Sequence, residues 1–112
     1  MDVTAGQLRL ARIGSAEHGP RWNAAGELDI EAALAVASLA DAGEDVELEL
    51  ERVTFIDSSG LRALLTLRHE LVAAGHGLTL VNPSDAVEHV LDVTATRSVF
   101  HIVTSTETRR TD

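Results

Sequence analysis

Residues 46–53, VELELERV, alternate apolar and charged positions from Val46 to Glu51, before Arg52 and Val53. That is the period of a strand with one buried and one solvated face, and the apolar character continues to Phe55 and Ile56. Directly afterwards the period changes. Across residues 58–74, Leu61, Leu64, Leu65, Arg68, Leu71 and Val72 fall at i, i+3, i+4, i+7, i+10 and i+11. This spacing predicts a helix with an apolar stripe that Arg68 interrupts at its edge, stopped by Gly75. The two periods recur along the chain. LRLARI (8–13) alternates as a strand, and the turn-rich GSAEHGPRWN (14–23) leads into WNAAGEL, a segment that Gly26 ends. DIEAALAVASLADAG (29–43), rich in alanine and leucine, predicts a helix with Asp29 as its cap and Gly43 as its stop. GLTLVN (77–82) reads as a strand, and SDAVEHVLDVT (84–94) as a third helix opened by Pro83, Ser84 and Asp85. VFHIVTS (99–105) reads as a last strand, and TETRRTD (106–112) as a frayed tail.

The resulting order, β-β-α-β-α-β-α-β, predicts an α/β fold. Strands separated by helices are expected to run parallel through right-handed crossovers. The first strand has no helix behind it and is expected to pair antiparallel with the second. The expectation is one domain over residues 1–112, with its core in about 7–105. It has a mostly parallel mixed sheet of about five strands and about three helices packed on it.

Composition narrows the function classes. The chain has 112 residues, enough for one domain with a core that needs no staples. Hydrophobic residues are 45%, which excludes a disordered composition. There is no cysteine, hence no disulfide framework, thiolate zinc site or thiol nucleophile. The formal net charge of −9 argues against nucleic acid and against an anionic membrane surface as partners. Aromatics at 3% give no platform for base stacking. No apolar run is long enough to span a bilayer, and MDVTAGQLRLAR lacks the basic and apolar regions of a signal peptide. A cytoplasmic location is the expectation.

The chemistry-bearing residues collect where the second helix begins. Asp57, Ser58, Ser59 and Gly60 join the strand to that helix. In an open α/β fold this is the carboxyl edge of the sheet, where ligands bind. Aspartate and serine are good N-caps, because their oxygens accept from the free N–H groups of the first turn. On that reading Gly60 only allows close packing of helix on strand. The same helix end carries about half a positive charge. It would equally stabilise a phosphate carried by a serine. Two adjacent hydroxyls exceed what one cap requires, and Asp57 would repel such a phosphate and keep the modification near balance. From the residues alone both readings stand.

FIDSSGLRALL (55–65) resembles the signature of bacterial anti-sigma factor antagonists, the STAS domain family. AAGELDI (24–30) is similar to that family's second recurring segment, and one helix and one strand separate the two, as in the family. LVNPSDAVEHVLDVTATRSVFHIVTS (80–105) resembles the remaining strand, helix and strand, so the likeness covers roughly residues 7–105. The resemblance implies a single STAS-type domain that regulates transcription as a phosphorylation-switched binding module and is not itself an enzyme. It implies that Ser58 is phosphorylated by a partner, a serine kinase that is also the anti-sigma factor. The unmodified antagonist would bind this kinase and release its sigma factor, and a serine phosphatase acting on phospho-Ser58 would restore it. Asp29 would lie near the acceptor and contact the partner, with Asp57, Ser59 and Gly60 around Ser58 completing the partner-binding set. The chain departs from the family in two places. IEAA after Asp29 lacks the serine or threonine often found at that helix start, and TETRRTD shows no apolar stripe for the family's usual C-terminal helix. A STAS module that serves as an adaptor or as a ligand or nucleotide sensor, without phosphorylation, is the alternative.

Other motifs carry less. A nucleophile elbow around Ser58 would need glycine at position 56, where Ile56 stands. HELVAAGH (69–76) has Ala73 where a zinc-binding H-E-x-x-H needs histidine, so no metal is expected. No other cofactor and no catalytic residue is expected either. Pro83 bars Asn82 from glycosylation. Trp22 is expected to pack on the sheet near the first hairpin. The acidic alternation in 44–51 marks a solvated strand face, and His89 and His101 read as ordinary surface or boundary residues.

Overall fold

The structure, a computed structural model, describes residues 2–16 and 19–104. Among these residues one sheet contains β1 (Asp2–Ala5), β2 (Leu8–Ala16), β3 (Gly19–Leu28), β4 (Val46–Ile56), β5 (Leu78–Val81) and β6 (His101–Val103). The strands lie side by side in that order. β1 with β2 and β2 with β3 are antiparallel; the remaining pairs are parallel. The parallel strands are connected through α1 (Ile30–Ala37), α2 (Ser58–Ala73) and α3 (Asp85–Val93). Since spatial order follows chain order, right-handed crossovers put all three helices on one face. None of the helices is long and apolar enough to cross a membrane.

The alternation of β4 divides its side chains between two environments. Val46, Leu48 and Leu50 are buried under the helices, against Leu64, Leu67 and Leu71 of α2, Ala32 and Val36 of α1, and Val87 and Leu91 of α3. Each buried leucine contributes about 1.5–3 kcal/mol relative to exposure. Glu47 and Glu49 point to the other face, where the register aligns Arg21, Glu47, Thr79 and His101 in one row. Arg21 Nε lies 3.2 Å from Glu47 Oε1 and 3.6 Å from Glu49 Oε2 there. Trp22 lies in the core beneath the β2–β3 pairing, as its sequence context predicts.

The structure differs from the pattern reading in the segment 14–23, where β2 runs on to Ala16 and β3 begins at Gly19, and in four further places. The sheet has a sixth strand, because β1 adds to the edge by backbone pairing from Asp2↔Ala11 to Ala5↔Leu8. The segment 29–43 is helical but not one α-helix: α1 stops at Ala37 and a 3₁₀ turn covers Ser38–Ala42. There the Ser38 hydroxyl donates back to the Ala35 carbonyl, and Gly43 closes the turn with φ +70°. The last strand is shorter than 99–105, since Arg97–Val99 forms a 3₁₀ turn; Ser105 and the tail lie outside the described residues.

The last difference is the buried face of α2. It keeps Leu61, Leu64 and Leu71 of the predicted stripe but adds Gly60, Ala63 and Leu67, whereas Val72 is 51% exposed. Gly60 is the cause. With no side chain, it is the side of the helix that presses deepest into the sheet, so it sets the rotation. Val72 then sits about 120° around the helix from it, out of the stripe.

Candidate functional site

β3 and β4 are parallel neighbours with Leu28 opposite Ile56. The next residue on each strand, Asp29 and Asp57, is therefore brought to the same edge of the sheet, where adjacent strands are about 4.8 Å apart. Each aspartate begins a helix in the same way. Asp29 Oδ1 accepts from the Glu31 amide at 3.1 Å, and Asp57 Oδ1 accepts from the Gly60 amide at 3.0 Å. Two N-caps thus stand side by side, with two positive helix ends aimed at the same edge.

Because Asp57 caps α2, neither serine has to. Ser58 and Ser59 occupy the first turn, and their hydroxyls make no hydrogen bond among the described residues. Ser58 is exposed and Ser59 half-buried. Gly60 is buried, and a Cβ on it would fall 2.1 Å from the Leu28 carbonyl oxygen and 2.9 Å from Ile56 Cγ1. Its part in the site is positional: it lets α2 lie close on β3, the strand that leads into Asp29. Gly26 has a matching role two residues before Leu28. Its φ of +113° and the Gln7 carbonyl oxygen, 2.1 Å from where a Cβ would lie, leave room for glycine alone.

The five residues singled out from sequence, Asp29, Asp57, Ser58, Ser59 and Gly60, are brought together at this edge. The structure adds three that sequence reasoning missed. Between α1 and α2 runs a groove of about 450 Å³. Its α2 wall carries Ser58, Ser59, Arg62 and Thr66, and its α1 wall carries Ile30 and Leu34. Ile30 is 73% and Leu34 81% exposed, one helical turn apart and facing the groove next to the serines. Arg62 is the one charged side chain lining it. A signal for Ile30 and Leu34 was present: apart from Glu31 every residue of the first helix is apolar, more than one buried face needs. Arg62 lies one turn beyond Ser58, a spacing that puts the two side chains on the same helix face.

The site therefore offers a free, solvent-facing hydroxyl at a positive helix end, two fixed carboxylates beside it, and an apolar ledge. Neither serine is hydrogen-bonded to a general base among the described residues. Larger depressions of about 670 and 570 Å³ lie at α3, and none of the five residues lines them.

The model of the STAS domain family matches residues 23–109. No curated protein matches the chain. Among solved structures, the anti-sigma factor antagonist SpoIIAA in its unphosphorylated form superposes with a TM-score of 0.71 at 25% identity, covering 92% of this chain and 93% of that one. The Bacillus cell fate determinant SpoIIAA in the phosphorylated form gives 0.64 at 23% identity, over 92% and 96% of the two chains. An anti-sigma factor antagonist from Mycobacterium paratuberculosis gives 0.71 at 17% identity, over 85% and 84%. The last two likenesses, at their lower identity, speak to the fold alone.

Proposed function

The chain belongs to the STAS domain family, and on that premise we propose that it is an anti-sigma factor antagonist switched by phosphorylation of Ser58. Unmodified, it binds an anti-sigma factor that is also a serine kinase, in the cytoplasm, and so releases the sigma factor. The partner transfers a phosphoryl group from ATP: a bond forms between Ser58 Oγ and the γ-phosphorus, the bond to ADP breaks, and the hydroxyl proton passes to a base of the kinase. A serine phosphatase hydrolyses the phosphoserine and returns the chain to its binding form. The catalytic groups belong to these partners, and this chain supplies the acceptor and the surface.

The observation that carries the reading is the capping of α2 by Asp57, which leaves Ser58 exposed and without a hydrogen-bond partner at the helix end. A phosphate there gains from the helix end and meets Asp57 and Asp29 nearby, so addition and removal are both feasible. Ile30 and Leu34 support protein docking beside the acceptor, as exposed apolar side chains that a partner would desolvate. Incubation with anti-sigma kinases and ATP, followed by intact mass, tests the reading. The expected result is one added phosphate, lost in Ser58→Ala and kept in Ser59→Ala. A chain that binds the kinase but never gains mass would be a constitutive adaptor instead.

A further inference from the structure

Arg62 has no ion pair or hydrogen bond among the described residues, although carboxylates outnumber cations two to one in this chain. It is exposed, and it shares one wall of the α1–α2 groove with Ser58, one helical turn before it. Long side chains on a helix lean toward its N-terminus, so Arg62 is within reach of a phosphate on Ser58, four residues before it. A planar guanidinium matches two phosphate oxygens at once. The groove's remaining lining is apolar or hydroxylic, so no neighbouring carboxylate in it competes for Arg62.

We propose that Arg62 is an internal clamp for the phosphate on Ser58. This rests on the reading of Ser58 as the phosphoacceptor. In the unmodified chain Arg62 is the single charge of an otherwise uncharged groove and is available to an acidic group of the partner. Once the phosphate forms, Arg62 closes on it, and the groove loses its free cation and gains net negative charge in the same step. The switch then acts twice, by adding charge at Ser58 and by withdrawing Arg62 from the partner.

The test does not need the kinase. Phosphoserine is installed at position 58 by genetic code expansion, in chains carrying Arg62, Arg62→Lys and Arg62→Met, and each is titrated by phosphorus NMR. The helix end and both aspartates are common to all three, so differences isolate residue 62. The second ionisation of phosphoserine lies at about 6. The clamp lowers it by roughly half a unit or more with Arg62 relative to Met, because an adjacent cation favours the dianion. Lysine restores part of the shift, and about 1 M salt, with its Debye length of about 3 Å, removes most of it. Equal titration with Arg62 and Met, in chains of equal melting temperature, overturns the clamp whatever any kinase does. A lowered ionisation with Arg62 combined with no phosphate transfer by any kinase upholds the contact and overturns the acceptor reading alone.

Discussion

Gly60 and Leu28 touch through backbone: a methyl group on Gly60 would lie 2.1 Å from the Leu28 carbonyl oxygen. No side chain can move aside to relieve that contact, because the obstructing atom belongs to β3. Gly60→Ala gains about 1 kcal/mol of helix propensity but forces α2 off the sheet. Overpacking of this kind costs about 1–3 kcal/mol, and a backbone obstruction belongs at the upper end. The expected outcome is a net loss of about 1–2 kcal/mol in urea unfolding. Gly77 is the contrast, with open space around it and no positive φ. Gly77→Ala is expected to leave stability unchanged or raise it by about 0.4–1 kcal/mol.

The cap and the charge of Asp57 separate by substitution. Asp57→Ala removes the acceptor for the Gly60 amide and is expected to cost about 1 kcal/mol. Asp57→Asn keeps an acceptor and is expected to unfold within a few tenths of a kcal/mol of the native chain. If the carboxylate holds the phosphorylation near balance by repelling the product, Asp57→Asn also slows dephosphorylation of phospho-Ser58. Thermal melts beside a phosphatase time course check both, and an Asn variant dephosphorylated at the native rate removes that role from the charge.

Why the serine junction was legible in sequence, and the groove beside it was not, follows from what each contact requires. Gly26 and Gly60 are forced by close carbonyl oxygens, and Asp29 and Asp57 by exposed helix N–H groups, so backbone geometry writes directly into residue type. The ledge formed by Ile30 and Leu34 leaves a weaker trace, the surplus of apolar residues in α1, which does not say which of them face out. In α1 the small Ala32 and Val36 face the sheet, and the larger Leu34 faces out. A rule that buries the largest residues would invert that helix. β1 was missed for a related reason: Val3 is its one large apolar residue and is itself exposed at the sheet edge, so the strand is held by pairing to β2 rather than by side-chain burial. In α2 the stripe drifted toward Val72 because a glycine has no hydrophobicity to mark the deepest contact.

Leu34 gives the cleanest test of the ledge. At 81% exposure it contributes little to the core, so Leu34→Gln, which keeps helix propensity, is expected to change stability by no more than about 0.5 kcal/mol. A docked partner would desolvate it. Loss of a central apolar anchor costs more than about 1 kcal/mol, so affinity for the anti-sigma factor is expected to fall about tenfold. Ile30→Gln is expected to act in the same direction. Unchanged affinity in both variants moves the interface off this groove.

Asp29 has two duties that act on different readouts. It caps α1, so Asp29→Ala is expected to lower stability by about 1 kcal/mol. Serine caps as well as aspartate but carries no charge, so Asp29→Ser is expected to restore the melting temperature. If the carboxylate also contacts the partner, Asp29→Ser still binds weakly. Normal binding by the serine variant leaves Asp29 as a cap and nothing more.

The last prediction is how far the phosphate shifts the partner. Phosphoserine adds about −1.5 to −2 charges at neutral pH, on a residue whose neighbours at the sheet edge already include Asp29 and Asp57. The end of α2 absorbs part of that charge, and Ser58 is exposed, so no buried contact must break and the fold is expected to hold. The effect falls on the partner, which must accommodate added volume and charge against the Ile30–Leu34 ledge. Switching couplings run about 1–3 kcal/mol, roughly 5- to 150-fold in affinity. We expect at least a tenfold loss on phosphorylation. Ser58→Asp is expected to reproduce only part of it, since a carboxylate is smaller, carries one charge and sits closer to the backbone. Calorimetric titration of the kinase with unmodified, phosphorylated and Ser58→Asp chains measures all three. Equal affinities would remove the switch and leave a surface that binds regardless of Ser58, and a phosphorylated chain that binds weakly because it has lost its circular dichroism spectrum would place the effect in the fold rather than at the interface.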